Sequence, residues 1–328
     1  VLRIKGKPTA KDIFARPRPL RWDNEAATGK WNATDANWSG KTWNNSHPDT
    51  AVFAHPGGGE IQIAGDIRVQ DLRFDADGYH VAGGTLTISG AGDTFITANK
   101  DAVISSTLIG GILRKDGRST LTLRGANQHG GGTVIEEGTL EVESLGDGSS
   151  NLGSGWLAMD RNSTLRYLGR GSESTRRDLW INNISGTRSF DVAHESASIT
   201  LAGGRSEISR PIRKTGAGAL TIGYAISGDA PVAVDGGLLT LTAPNSSIGN
   251  TTVHQGRIVL TNSGFADQST VTIAEKASIS LDFTGDDRVA KVILAGTTHT
   301  APGRYDATTF PAFFSGSGSL VIPGNAEP

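Results

Sequence analysis

Four eight-residue stretches constrain this chain more than anything else in it: "VAGGTLTI" (81–88), "IEEGTLEV" (135–142), "VDGGLLTL" (234–241) and "VHQGRIVL" (253–260). Each sets an aliphatic residue, two variable positions, a glycine, and then two aliphatics one residue apart. A glycine at the fourth position permits a backbone turn or bulge that a Cβ would penalise. The aliphatics that follow share one face of a strand, because successive side chains alternate. "VTIAEKASISL" (271–281) repeats the pattern without its glycine. The last two glycine-bearing copies begin at 234 and 253, a step close to one turn of a parallel β-helix. The other spacings, from 81 to 135 and from 135 to 234, are not multiples of that step, so elongated coils or insertions are expected.

The rest of the chain reads the same way. Alternating runs such as "STLTLRG", "ALTIG" and "SASITLAGG" recur, and 44 of the 328 residues are glycine, which implies many tight turns. A single sandwich of this length is too large, and propeller blades would show a longer, more even period. A solenoid accounts for turns, small residues and aliphatic ladders together. No run of 18 apolar residues is present, so no helical membrane span is expected. The absence of cysteine excludes disulfides and thiolate metal sites and suits export across a bacterial envelope. Val1 in place of Met is expected of a processed or trimmed form.

Residues 113–142, "LRKDGRSTLTLRGANQHGGGTVIEEGTLEV", resemble the autotransporter-associated β-strand repeat of bacterial passenger-like surface and secreted proteins. The residues that carry the likeness are Leu113, Lys115, Gly117, Leu121, Leu123, Gly125 and Asn127, then Gly131, Gly132, Thr133, Ile135, Gly138, Leu140 and Val142. "IRKTGAGALTI" (212–222) repeats the opening half and "NSSIGNTTVHQGRIVLTNSG" (245–264) the closing half. The terminal "SGSGSLVI" and the Trp-rich start resemble the ends of such proteins, so the likeness covers most of residues 22–322. It implies an all-β, right-handed parallel β-helix, secreted or on the bacterial cell surface. It implies no activity, because the repeat is scaffold. No translocator barrel follows "IPGNAEP", and a secreted relative without one is the expected reading. The expected organisation is a basic extended arm (1–21), a Trp-rich N-terminal cap (22–60), a β-helix body (61–282) and a C-terminal capping coil and tail (283–328). Twelve to sixteen coils at about 4.8 Å per layer would give a rod on the order of 60 Å.

The net charge of −2 suggests no nucleic-acid partner, but its distribution is uneven. Arg3, Lys5, Lys7, Lys11, Arg16, Arg18 and Arg21 face one acidic residue, Asp12, within the first 21 positions, leaving about −8 on the remainder. Pro8, Pro17 and Pro19 favour extended backbone there. The alternation of "VLRIK" suits strand addition to a neighbour, so the arm is expected to dock onto another copy or another surface protein. Trp22, Trp31, Trp38 and Trp43 crowd into one short stretch of the chain. They are read either as a lid over the first coil, with Asn32, Asn37, Asn44 and Asn45 serving open backbone, or as a platform for an extracellular glycan. The lid is favoured.

Enzymatic constellations are weak. Asp71, Asp75, Asp77, Glu136, Glu137, Asp178, Asp286 and Asp287 are scattered carboxylates, and Glu136 and Glu137 are expected as a solvated pair in a turn. The seven histidines lack ligand spacing, and His129 and His254 are expected to be exposed. Arg166, Arg170, Arg176 and Arg177 are read either as an exposed basic face for an acidic glycan or a neighbouring subunit, or as residues of solvated loops, and the loop is favoured. The sequence thus points to a noncatalytic structural or surface protein without cofactor or metal, a homo-oligomer or partner of another surface protein. A β-helical polysaccharide lyase or hydrolase and a monomeric glycan-binding adhesin module are the alternatives.

Overall fold

The computed structural model describes residues 19–88, 93–182, 185–244 and 246–324. Among these, every named element is a β-strand, and the strands stack in parallel ladders. Each coil contributes strands to up to three faces. The first face begins with Pro19–Arg21, Thr50–Phe53 and Asp71–Phe74. The second carries Gly59–Ile63, Tyr79–Ala82 and Ala102–Ile104. The third begins with Asp66–Val69 and Thr85–Ile88. About 11 turns separate Gly59–Ile63 from Lys291–Leu294 on the second face.

Eleven steps join twelve rungs, with Lys30–Trp31 stacked before them, which is the low end of the twelve to sixteen coils expected, and the reason lies in the middle of the chain. Coils near either end take short steps, with Thr122 and Glu141, or Asp235 and His254, 19 positions apart on adjacent layers. In the middle the step lengthens to 25 positions, from Glu141 to Arg166 and again from Arg166 to Asp191. The extra residues loop outward rather than add a layer. At about 4.8 Å per layer the stack is roughly 50 Å long.

Period-two alternation fixes what fills the interior. On the second face, Tyr79, Ala102, Leu121, Leu140, Leu165, Phe190, Lys214, Val234, Val253, Ile273 and Leu294 lie in one register column. All are buried. The column is apolar at every position but Lys214. On the first face Leu72, Ile96, Lys115, Ile135 and Met159 form a second such column, again with a single lysine.

The octet glycines mark corners between faces. Gly138 and Gly237 have φ of +73° and +64°, and a Cβ at either would overlap the carbonyl oxygen of the coil before it, Gly117 or Gly218. Both the left-handed backbone and the close stacking therefore demand glycine. The corners also explain the irregular spacings. The octets at 81, 234 and 253 turn from the second face to the third, whereas that at 135 turns from the first to the second. The stretch from 81 to 135 is thus two coils and two thirds, and that from 135 to 234 is four coils and one third.

Aromatics fill the N-terminal end. Trp31, Trp38 and Trp43 lie within 4.6–4.9 Å of one another, with Trp22 at 5.2 Å from Trp38 and Phe53 beneath them. At the other end the parallel stacking gives way to antiparallel pairs, Lys291–Leu294 with Thr297–His299 and Gly303–Asp306 with Ser319–Ile322. Tyr305 and Phe310 stack there at 5.4 Å.

Candidate functional site

Of the arm residues, Arg3, Lys5, Lys7, Lys11, Arg16 and Arg18 lie outside the described residues. Arg21 is exposed on Pro19–Arg21, the end rung of the first face. Its N–H donates to Ser39 Oγ at 3.1 Å, and the Ser39 N–H donates to its carbonyl at 2.9 Å, closing the edge of that rung.

The four N-terminal tryptophans are buried, between 0 and 7% exposed, and offer no open ring face for a sugar to stack on. Their surroundings are consistent with a lid. The Asn37 side chain donates to Thr28 Oγ1 and the Lys30 carbonyl and accepts from the Ala26 N–H. Asn45 spans the next rung, accepting from the Arg68 N–H and donating to the Asp66 carbonyl.

Three expectations about charged and polar side chains are corrected. His129 is fully buried: its Nε2 lies 2.9 Å from Thr133 Oγ1, and burial, reinforced by the Arg177 charge, holds its pKa down at about 4. It heads the strand Gln128–Ile135, whose alternation turns the imidazole inward. Glu136 is also buried, in an ion pair with Arg114, which pairs in addition with Asp93. Glu137, less buried, pairs with Arg118 at 3.0 Å. Arg177 points into an elongated coil, donating to the carbonyls of Leu145, Gly146, Gly153 and Gly155 and to Ser150 Oγ. Its guanidinium holds the loop at 143–156 and stands neither on a basic face nor in solvent. Arg166 sits outward between Glu141 (3.0 Å) and Asp191 (2.8 Å), and His254 pairs with Asp235 at 2.6 Å.

The most distinctive chemistry belongs to residues singled out only as part of the repeat. Lys115 Nζ is enclosed by carbonyl oxygens: Asp116 at 3.2 Å, Ser119 and Glu137 at 2.8 Å, and Gly117. Lys214 Nζ meets the counterparts in a later repeat, Thr215 at 2.5 Å, Gly216 at 2.9 Å and Gly236 at 3.2 Å. Burial pushes both ammonium groups down to about 8, with nearby carboxylates pulling the other way. Several carbonyls of a tight corner converge on one point, and each lysine supplies the donors that they share there. The signal was present in the sequence. In "LRKDG" and "IRKTG" the lysine has the same parity as Leu113 or Ile212, and parity sends it inward.

A second cluster lies on the outer surface of the first face. Trp156, Ala158, Asp160, Trp180, Asn182, Val134 and Arg114 line an open cavity of about 270 Å³. Among the described residues no group of three or more His, Cys, Asp or Glu side chains is placed to hold a metal, and no helix is long and apolar enough to cross a membrane.

These features define a parallel β-solenoid built from corner repeats. Residues 113–142 and 233–260 match the passenger-associated-transport-repeat family. A segment of 139 residues is 33% identical to the Adhesin BmaC autotransporter of Brucella suis biovar 1 (strain 1330), covering 38% of this chain. The match spans about 4% of that relative's length. No solved structure matches the chain. The chain carries passenger-associated-transport repeats and resembles an autotransporter adhesin over part of its length, which indicates a bacterial protein that is secreted or on the cell surface.

Proposed function

We propose that this chain is a noncatalytic adhesin-like rod that displays its outer faces at the bacterial surface and assembles with copies of itself or with another surface protein through its N-terminal arm. The observation that carries the display reading is the role of the repeat's own residues. Lys115, Gly117 and Gly138, and likewise Lys214, Gly216 and Gly237, all hold corners, where they join one coil to the next. What distinguishes this repeat chemically is therefore scaffold, and the name of the adhesin relative supports a display role. Assembly through the arm is supported by its position and charge. Residues 1–18 lead into the end rung at Pro19–Arg21 and hold six of the arm's seven basic residues, set against a body of about −8. Since Ser39 closes that rung at Arg21, the arm would pair with an edge on a neighbour rather than extend its own.

The test is the native mass of the full chain beside a version lacking residues 1–18, by light scattering at several concentrations. The deletion stops before Pro19 so that the first rung and the Trp22 contacts stay intact. The expected result is a defined oligomer that falls to monomer on truncation, with an unchanged circular dichroism spectrum. Identical masses for the two would remove the assembly role and leave the display reading standing alone.

A further inference from the structure

Trp180 stands outward between two inward-facing neighbours, Leu179 and Ile181, and is half-buried. Its register partner on the preceding rung is Ala158, whose small side chain leaves space above the indole. Trp156 lies across Gly132, where any Cβ would strike its ring. The two indoles line the same cavity. Its volume, about 270 Å³, is just below the ~300 Å³ at which ligand pockets begin.

The polar lining matters as much as the rings. Asp160 is 6% exposed and lines the cavity, yet among the described residues its carboxylate accepts no hydrogen bond. Its oxygens are not sealed in, so a ligand entering the cavity can donate to them in place of solvent. Its nearest compensation is the charge of Arg188 in the core behind it. Asn182 donates through Nδ2 to Glu207 at 2.7 Å, which leaves Oδ1 as an acceptor beside Asp160. Arg114 binds Asp93 through Nε and Glu136 through Nη1, leaving Nη2 as a donor.

We propose that this outer cavity is a binding site for a neutral saccharide, with a sugar ring against Trp180 and Trp156 and its hydroxyls donating to Asp160 and Asn182. A pyranose offers an apolar C–H face to an indole and hydroxyls that donate and accept at its rim, which is the chemistry lining this cavity. The charge argues against an acidic glycan. Four carboxylates, Asp93, Glu136, Asp160 and Glu207, stand at or beside the cavity against Arg114 in its lining and Arg188 and Arg210 behind it, so a uronate or sulfate would add to an excess of negative charge. The site is many rungs from Pro19–Arg21, where the arm joins the body, and does not rest on assembly, so a version lacking residues 1–18 is expected to bind as the full chain does.

The test is calorimetric titration of the full chain with cellohexaose, mannohexaose and chitohexaose, and with polygalacturonate as the acidic counterpart. At least one neutral hexaose is expected to bind and polygalacturonate is not. Trp180→Ala should weaken binding about tenfold or more, Asp160→Asn should also weaken it, and Trp180→Phe should retain part of it. Circular dichroism melts of each variant separate lost binding from lost folding, and Trp180, half-exposed, is the variant least able to disturb the core. Binding of none of the three neutral probes overturns the proposal. So does binding that Trp180→Ala leaves unchanged in a folded protein, or a preference for polygalacturonate.

Discussion

Lys115 and Lys214, each in its own copy of the repeat, hold equivalent cages of backbone carbonyls on different faces of the same solenoid. The first sits between Ile96 and Ile135 on the first face, the second between Phe190 and Val234 on the second. Their equivalence identifies the repeating unit as a corner. A buried ammonium with its donors satisfied by inward carbonyls does there what a strand partner does along the ladders.

Replacing either lysine by methionine keeps the volume but removes an ammonium donor from three or more carbonyls. We expect Lys214→Met to lower stability by about 1–3 kcal/mol near neutral pH, read from denaturant midpoints. The pH dependence has a definite sign. Both folded pKa values lie at about 8, below the unfolded value near 10.5, so between these limits the unfolded chain binds more protons. The contribution of these groups therefore rises with pH through that window. The stability of the wild type relative to a Lys115→Met, Lys214→Met double variant should increase from pH 7.5 to 9.5. A flat or falling difference would mean that the carbonyl cages offset the burial that holds the two pKa values down.

His129 sets a limit on the acid side. Its folded pKa of about 4 lies below the ordinary 6.5, so its contribution is fully present above 6.5 and is lost as pH falls through 4. Thermal midpoints of the wild type and His129→Gln, compared across pH 7 to 4, should converge as the pH drops. Parallel curves would mean that the imidazole is not sequestered.

Glycines in this chain divide by position. Gly138→Ala forces a Cβ onto the Gly117 carbonyl at a φ of +73° and should cost about 2 kcal/mol or more. Gly171→Ala meets nothing within 4 Å and has no left-handed backbone, so it should be neutral or slightly stabilising. Melting curves of the two variants measured side by side make the comparison.

The fold was readable because its two rules are local: aliphatics at i and i+2 point inward, and a glycine turns the corner. The place of the lengthened coils was not, since nothing in "SLGDGSSNLGSG" (144–155) announces that it loops outward instead of forming a layer. There the decisive contact is Arg177, 22 to 32 residues away along the chain. For Lys115 and Lys214, parity gave the correct direction, and the habit of placing charges in solvent worked against it. Trp180 was legible by that same rule, because an indole between the inward Leu179 and Ile181 has to face out. Arg114 offered no such cue, as its partners Asp93 and Glu136 sit on the rungs to either side.

Because registry is kept at corners rather than per revolution, the molecule behaves like a spiral staircase whose landings can fall on any side. A segment added or lost in units of one side, about six or seven residues in the shorter coils, would leave the interior columns continuous while swinging everything beyond it around the axis. The compass bearing of a surface feature such as Trp180, relative to whatever anchors the first rung, is then set by upstream length alone. Relatives built from the same corners could aim their binding surfaces in different directions without altering a single buried contact.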